Sequence, residues 1–257
     1  MNQSERRIYL IERLLKERPE YGSLSIPPNT DEQKKMLRSL MNIRLPKEID
    51  EDFLKIQDEY LKEENDRKGI VTLEDMEELQ PDIYIFKGDI TRLKTGAIVN
   101  AANSGMTGCY NPCHNCIDNC IHTYAGIQLR NCCNDIMIKQ GYEEPVGRAK
   151  ITPSYNLPCD YVIHTVGPIV QGRLQEQHKK LLADCYKSCL EVADEYGVKS
   201  IAFCCISTGV FMFPNEEAAK IAVHTVRQYK TDTKSDIKVV FNVFKDEDER
   251  IYRQLLR

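Results

Sequence analysis

Two rhythms of apolar residues divide this chain. Over residues 1 to about 80, apolar positions recur at helical spacing: Ile8, Ile11, Leu14 and Leu15, then Met36, Leu37, Leu40 and Met41, then Phe53, Ile56 and Leu61. Such spacing lays one apolar stripe along a helix. "SIPPNT" and "RLPKEID" break the runs with proline and turn-forming residues. Thr30, with Gln33 three residues on, has the form of a capping box opening the second helix.

From residue 82 the rhythm changes to short apolar runs alternating with longer amphipathic ones. "DIYIFKGDI", "GAIVNAA", "YVIHTVG", "SIAFCCIS" and "IKVVFNVF" are rich in Ile, Val, Phe and Tyr and predict strands. Helices are expected at about 117–139, 174–196 and 215–229, the last of these capped by Asn215. A final helix starts at Asp246, with Glu249 as its cap partner. This alternation predicts an α/β domain with a largely parallel or mixed sheet and helices on both faces. The division expected is a helical N-terminal extension, 1–80, packed on a main domain, 81–257. In such sheets ligands bind beyond the carboxyl ends of the strands. Three predicted strands end there in small or polar loops: "KGDITRL", "VNAANSGMTG" and "ISTGVFMFP".

Composition narrows the classes. The 257 residues are 42% hydrophobic and 29% charged, enough to bury a substantial core. A net charge of −4 gives no basic footprint for nucleic acid. The N-terminus mixes charges into its apolar positions, unlike a secretory signal, and no segment has transmembrane length. Eleven cysteines, an odd count without an export signal, suit apolar packing, metal binding or reactivity better than a disulfide framework. The expected compartment is a reducing cytoplasm.

The chemistry concentrates in the loops. "GCYNPCHNC" holds Cys109, His114 and Cys116 in a C-x4-H-x-C spacing. Thiolate and imidazole together suit zinc, and three ligands with an open fourth position mark a catalytic site. A closed structural zinc that recruits Cys113, Cys120 or His122 is an alternative, as is a set of buried cysteines with no metal. Cys113 and Cys116 also form a CxxC pair, in a context unlike a thioredoxin motif. Asp118 falls at the start of the next helix, where it either complements the helix N-terminus or orients a water. In "ISTGVFMFP", Ser207, Thr208 and Gly209 could turn successive amides onto an anion or form an ordinary turn. The asparagines of "VNAAN" could bind hydroxyls or satisfy their own loop.

Taken in order, "KGDIT" (87–91), "AIVNAAN" (97–103), "IDNCIHTYAG" (117–126), "HTVGP" (164–168) and "ISTGVFMFP" (206–214) resemble the macrodomain family, whose members bind ADP-ribose. Where ordinary macrodomains carry a glycine run, this chain has "GCYNPCHNCIDN", similar to the zinc-dependent macrodomains, microbial enzymes that remove ADP-ribose from proteins. Some of those are encoded beside a sirtuin-type ADP-ribosyltransferase. The N-terminal "LRSLMNIRLP" and "FLKIQDEYL" resemble that subfamily too, so the likeness spans nearly the whole chain.

The resemblance implies a three-layer α/β/α domain around a mixed sheet, and roles for matching residues. Asp89 would receive the adenine amino group, helped by the backbone at Ile90. Asn103 would bind the distal ribose. Ser207, Thr208, Gly209, Val210 and Phe211 would wrap the pyrophosphate, and Phe244 would pack on adenine or else join the core. Cys109, His114 and Cys116 would hold Zn2+ beside that ribose, with Asp118 and Asn103 at the reacting bond. Met212 replaces a glycine of the family pattern, and Cys113 and Cys120 crowd the metal set. The implied activity is zinc-dependent release of mono-ADP-ribose from Asp or Glu esters. An ADP-ribose reader without turnover and an O-acetyl-ADP-ribose deacetylase are the alternatives.

Overall fold

The computed structural model describes all 257 residues. Three helices open the chain: α1 (Gln3–Lys16), α2 (Thr30–Ile43) and α3 (Glu51–Arg67). Their apolar stripes close on one another in a small core of Leu10, Ile11, Leu14, Leu37, Leu40 and Phe53 among others, and Ile127 of the following domain joins it. The second helix starts one residue earlier than the capping box predicts. Asn29 is the cap and accepts from the amides of Asp31 and Glu32, which leaves Thr30 as the first helical residue. Gln33 turns away from the helix end, accepting from Arg7 and donating to the Pro27 carbonyl.

The rest of the chain builds one sheet from β1 (Glu77–Gln80), β2 (Ile83–Lys87), β3 (Ala97–Ala102), β4 (Ala149–Pro153), β5 (Tyr161–Val166), β6 (Ser200–Phe203) and β7 (Lys238–Val243). Their order is β1-β2-β7-β6-β3-β5-β4. The five inner strands run parallel, and β1 and β4 pair antiparallel at the two edges. These five are the strands that the apolar runs predict. The two edge strands are absent from that expectation because "EELQ" has Leu79 as its one apolar residue and "AKITP" ends in proline, so neither presents an apolar run.

Five helices cover the sheet: α4 (Ile117–Ala125), α5 (Ile127–Gln140), α6 (Glu176–Glu195), α7 (Asn215–Thr233) and α8 (Asp246–Leu256). Adjacent residues of β5 face opposite layers. His164 meets Cys133 of α5, and Thr165 lies on the side of Cys185 in α6. The single helix expected at 117–139 is two. Gly126, at φ +100°, breaks it, and a side chain there would strike Gln57, Gln128 and Asn156. Two predicted caps are also displaced. Pro214, rather than Asn215, precedes α7, and Asn215 donates to Asp248. Asp246 and Glu249 both pair with Lys87 instead of capping α8, which joins the end of β2 to that helix.

Candidate functional site

Because the inner strands are parallel, their carboxyl ends put five loops on one edge: Gly88–Ile90 after β2, Asn103–Gly108 after β3, Gly167–Pro168 after β5, Cys204–Phe213 after β6 and Phe244 after β7. This is where an open parallel sheet binds ligands.

The loop after β2 is held from its neighbour. Asn242, buried on β7, donates to the carbonyls of Phe86 and Gly88 at 3.2 and 2.9 Å. Asp89 caps a short 3-10 turn, with Oδ1 accepting from the Thr91 amide and hydroxyl. Its other oxygen lies 3.6 Å from the Lys68 ammonium, which also sits over the Tyr124 ring. Burial pushes Lys68 down to about 8 against the pull of Asp89. Ile90 is buried beneath the turn, so any contact it makes with a ligand is through its backbone. Phe244 is 76% exposed, which removes the core alternative for its ring.

The loop after β6 is an arc of free amides. Met212 N–H closes onto the Gly209 carbonyl and Phe213 N–H onto that of Ser207, both at 3.0 Å. Between them, the amides of Gly209, Val210 and Phe211 donate to nothing in the chain. Ser207 and Met212 sit at φ +65° and +54°, left-handed residues that bound the three free amides at either end. Thr208 spends its hydroxyl on the Cys205 carbonyl. Ser207 Oγ is buried without a partner. Met212 takes up the left-handed backbone that glycine would adopt freely, and its side chain is exposed.

The cysteine loop folds back on itself between β3 and α4. Cys109 Sγ, His114 and Cys116 bring their ligand atoms within 4.8 Å of one another, with Cys109 Sγ and His114 Nδ1 3.7 Å apart. A tetrahedral zinc, with bonds of ~2.3 Å to sulfur and ~2.0 Å to nitrogen, needs its donors ~3.5 Å apart, so these three fit one with little movement. Cys116 is the N-cap of α4, where its sulfur accepts from the Asn119 amide. Burial first, and then the Cys109 thiol beside it, push Cys116 up to about 12, whereas the helix amide pulls it down. A thiol so placed gives up its proton most readily to a cation.

The crowding residues go elsewhere. Cys113 Sγ meets Ser39 Oγ and the Lys35 carbonyl, and Cys120 lies by Arg38. His122 packs instead under Gly108, where a side chain would meet its ring at 2.8 Å. It forms a second buried group with Cys133 and His164, but the His164 nitrogens are engaged by Asn100 and Thr152.

Asp118 stands on the second residue of α4, 5% exposed. Asn100 donates to its Oδ1 at 2.8 Å, and Asn103 reaches its Oδ2 at 3.4 Å. Burial raises Asp118 to about 6 against the hydrogen bond from Asn100. The two asparagines of "VNAAN" therefore part company. Asn100 is fully buried and binds Asp118 and His164, whereas Asn103 is exposed at the cleft and holds its own loop through Gly105 and Gly108. Asn242 and Lys68 escape a motif reading, and Asn100 falls inside "VNAAN" with its partners hidden. Each acts across strands or helices distant in sequence, and only the parity of Asn100 within β3 hints at its inward turn.

The model of the Macro domain family matches residues 99–222. The chain is 58% identical over 260 residues to a protein-ADP-ribose hydrolase of Treponema medium, covering 100% of both chains. It is 46% identical over 248 residues to a protein-ADP-ribose hydrolase of Staphylococcus aureus strain MSSA476, covering 96% of this chain and 93% of that one. Among solved structures, the Oceanobacillus iheyensis macrodomain with ADP superposes with a TM-score of 0.62 at 36% identity, covering 70% of this chain and 93% of that one. Together with the seven-stranded mixed sheet and its single loop-bearing edge, these likenesses decide the family: the chain belongs to the macrodomains.

Proposed function

We propose that this chain is a hydrolase that releases mono-ADP-ribose from modified proteins, acting on esters of Asp or Glu with zinc held by Cys109, His114 and Cys116. One observation carries the reading. The free amides of Gly209, Val210 and Phe211, the Cys-His-Cys donor set and the buried carboxylate of Asp118 all open on the same edge of the sheet. The names of the relatives support the class of reaction.

The pyrophosphate would lie on the amide arc, where three unpaired N–H groups compensate its charge without competing for lost internal bonds. Asp89 and the exposed Phe244 ring would hold adenine at the far end. These contacts are remote from the reacting bond, so their binding energy fixes the anomeric carbon in place. Asn103 and Asp118 then face the distal ribose, Asn103 binding a hydroxyl and Asp118 orienting the attacking water. Hydrolysis consumes one water, returns the side-chain carboxylate of the target and frees ADP-ribose with a new hydroxyl. The chemistry that zinc would supply, when bound, is polarisation of a coordinated oxygen close to neutral pH.

The test uses a protein mono-ADP-ribosylated on Asp or Glu, incubated with the enzyme before and after chelation. Loss of the label only with metal present, restored by added zinc and absent in a folded Cys116→Ala variant, is the expected result. No loss in either sample, with free ADP-ribose still bound, would make the protein a reader. Turnover of O-acetyl-ADP-ribose in preference to the modified protein would move the substrate to the small ester.

A further inference from the structure

The helical extension reaches the metal loop through one side chain. Arg38, midway along α2, donates from Nη2 to the His114 carbonyl at 2.7 Å and to Asn119 Oδ1 at 2.8 Å, while its Nε reaches the same Oδ1 at 3.3 Å. Asn119 passes the contact on. Its Nδ2 donates to the carbonyls of Cys109 and Asn111 at 3.3 and 3.0 Å, and its backbone amide donates to Cys116 Sγ at 3.4 Å. Arg38 and Asn119 together therefore touch all three residues of the donor set, His114 and Cys109 at the main chain and Cys116 at the sulfur. Neither supplies a ligand atom.

The loop needs such bracing. Cys113, between the ligands, is held at φ +53°, a left-handed conformation unfavourable to a residue with a side chain. Its amide is taken by Asn42 Oδ1 at 2.9 Å, one helical turn beyond Arg38 on the same face of α2. Ser39 Oγ meets its sulfur at 3.2 Å. Arg130 of α5 locks the pair of segments from the other side. It donates to the carbonyls of Met41 and Asn42 at the end of α2 and, through Nε, to Thr107 just before the loop at 2.7 Å.

We infer that Arg38 is a positioning residue for the metal loop, so that the N-terminal extension sets zinc affinity and turnover as well as packing on the domain. The inference rests on the proposal that Cys109, His114 and Cys116 hold zinc. Groups that orient metal ligands from outside the coordination sphere characteristically change affinity ten- to a hundredfold when lost. Lysine at position 38 keeps the charge and its donors but loses the planar guanidinium that holds the His114 carbonyl and the Asn119 amide oxygen in fixed geometry.

The full-length protein is titrated with zinc against a chromophoric chelator, alongside Arg38→Met and Arg38→Lys. Melting temperatures of zinc-loaded and stripped forms, and kcat and KM, are measured on each. Wild type should take up one zinc. Arg38→Met should bind it about tenfold or more weakly, with a smaller melting-temperature gap between loaded and stripped forms and a lower kcat at similar KM. Arg38→Lys should fall between the two. Zinc affinity and loaded-minus-stripped gap equal to wild type in both variants would overturn the inference while leaving the metal reading intact. If Arg38→Met does not fold, Arg38→Lys alone decides, and unchanged zinc affinity there counts against the inference. No zinc uptake by wild type would instead remove the underlying reading.

Discussion

A side chain on Gly167 would stand 2.1 Å from Ser207 Oγ and 2.9 Å from Ile206 Cγ2. The first residue after β5 thus meets the third and fourth after β6, because the strands on either side of β3 bring both loops to the same edge. Ser207 has no freedom to retreat, since its φ of +65° begins the amide arc. Gly167→Ala should therefore displace that arc. The expected cost is ~1–3 kcal/mol of stability from overpacking, with ADP-ribose affinity down about tenfold or more, the equivalent of ~1.4 kcal/mol. Calorimetric titration with ADP-ribose and a thermal melt check both.

Asp118 separates binding from turnover. In the proposed binding mode it faces the distal ribose, away from the residues assigned to adenine, and Asn100 donates to its Oδ1. Asp118→Asn should lower kcat by ~10²–10⁴-fold, the range for a lost acid–base group, while ADP-ribose binding stays within a few-fold of wild type. Equal losses of binding and turnover would assign the residue to ligand recognition alone.

Phe244 offers the opposite pattern. With 76% of its surface exposed, it contributes little to the core. Phe244→Ala should leave the melting temperature unchanged and weaken ADP and ADP-ribose by a similar factor of several-fold, since both carry adenine. Ribose 5-phosphate, which lacks the base, should bind the variant and wild type alike. A stability loss of a core type, ~3–5 kcal/mol, would contradict the exposed position.

The buried histidines make folding sensitive to mild acid. Burial holds His164 down to about 3, and burial with His164 and Arg130 nearby holds His122 well below its ordinary value. Both bind protons more readily in the unfolded chain. Stability should accordingly fall as pH drops below ~6.5, by up to ~1.4 kcal/mol per pH unit for each imidazole. Asp118 works in the opposite sense. Raised to about 6, it binds its proton in the folded state before the unfolded one and offsets one imidazole between pH 6 and 4. In zinc-stripped protein, urea unfolding from pH 7 to 5 should show a decline that is steeper in Asp118→Asn. An identical slope in the two proteins would exclude the offset.

Much of this was legible in the order of residues, for physical reasons that differ by element. The inner strands are buried on both faces, so they are mostly apolar, and "AIVNAA", "YVIHTV" and "KVVFNV" announce themselves despite the few polar residues they bury. The amphipathic helices do so by their stripe. The Cys-His-Cys set and the amide arc are each local, contained in nine residues or fewer, and backbone and loop length alone bring their members together. The family follows from the order in which those loops occur.

What the tertiary structure decided is whatever depends on partners far along the chain. Edge strands β1 and β4 lack a signature because they need satisfy only one neighbour. Asn29 rather than Thr30, and Pro214 rather than Asn215, stand at the N-terminal caps of their helices, set by where the chain arrives from. Asn100 and Asn103 are the same residue type three positions apart, yet strand parity turns one inward onto Asp118 while the other leaves the sheet at the cleft. Arg38 meets His114 across 76 residues of sequence. Local sequence determined the Cys-His-Cys set and the loops, but the setting of each side chain was fixed only when the sheet closed and the helical extension docked against α4.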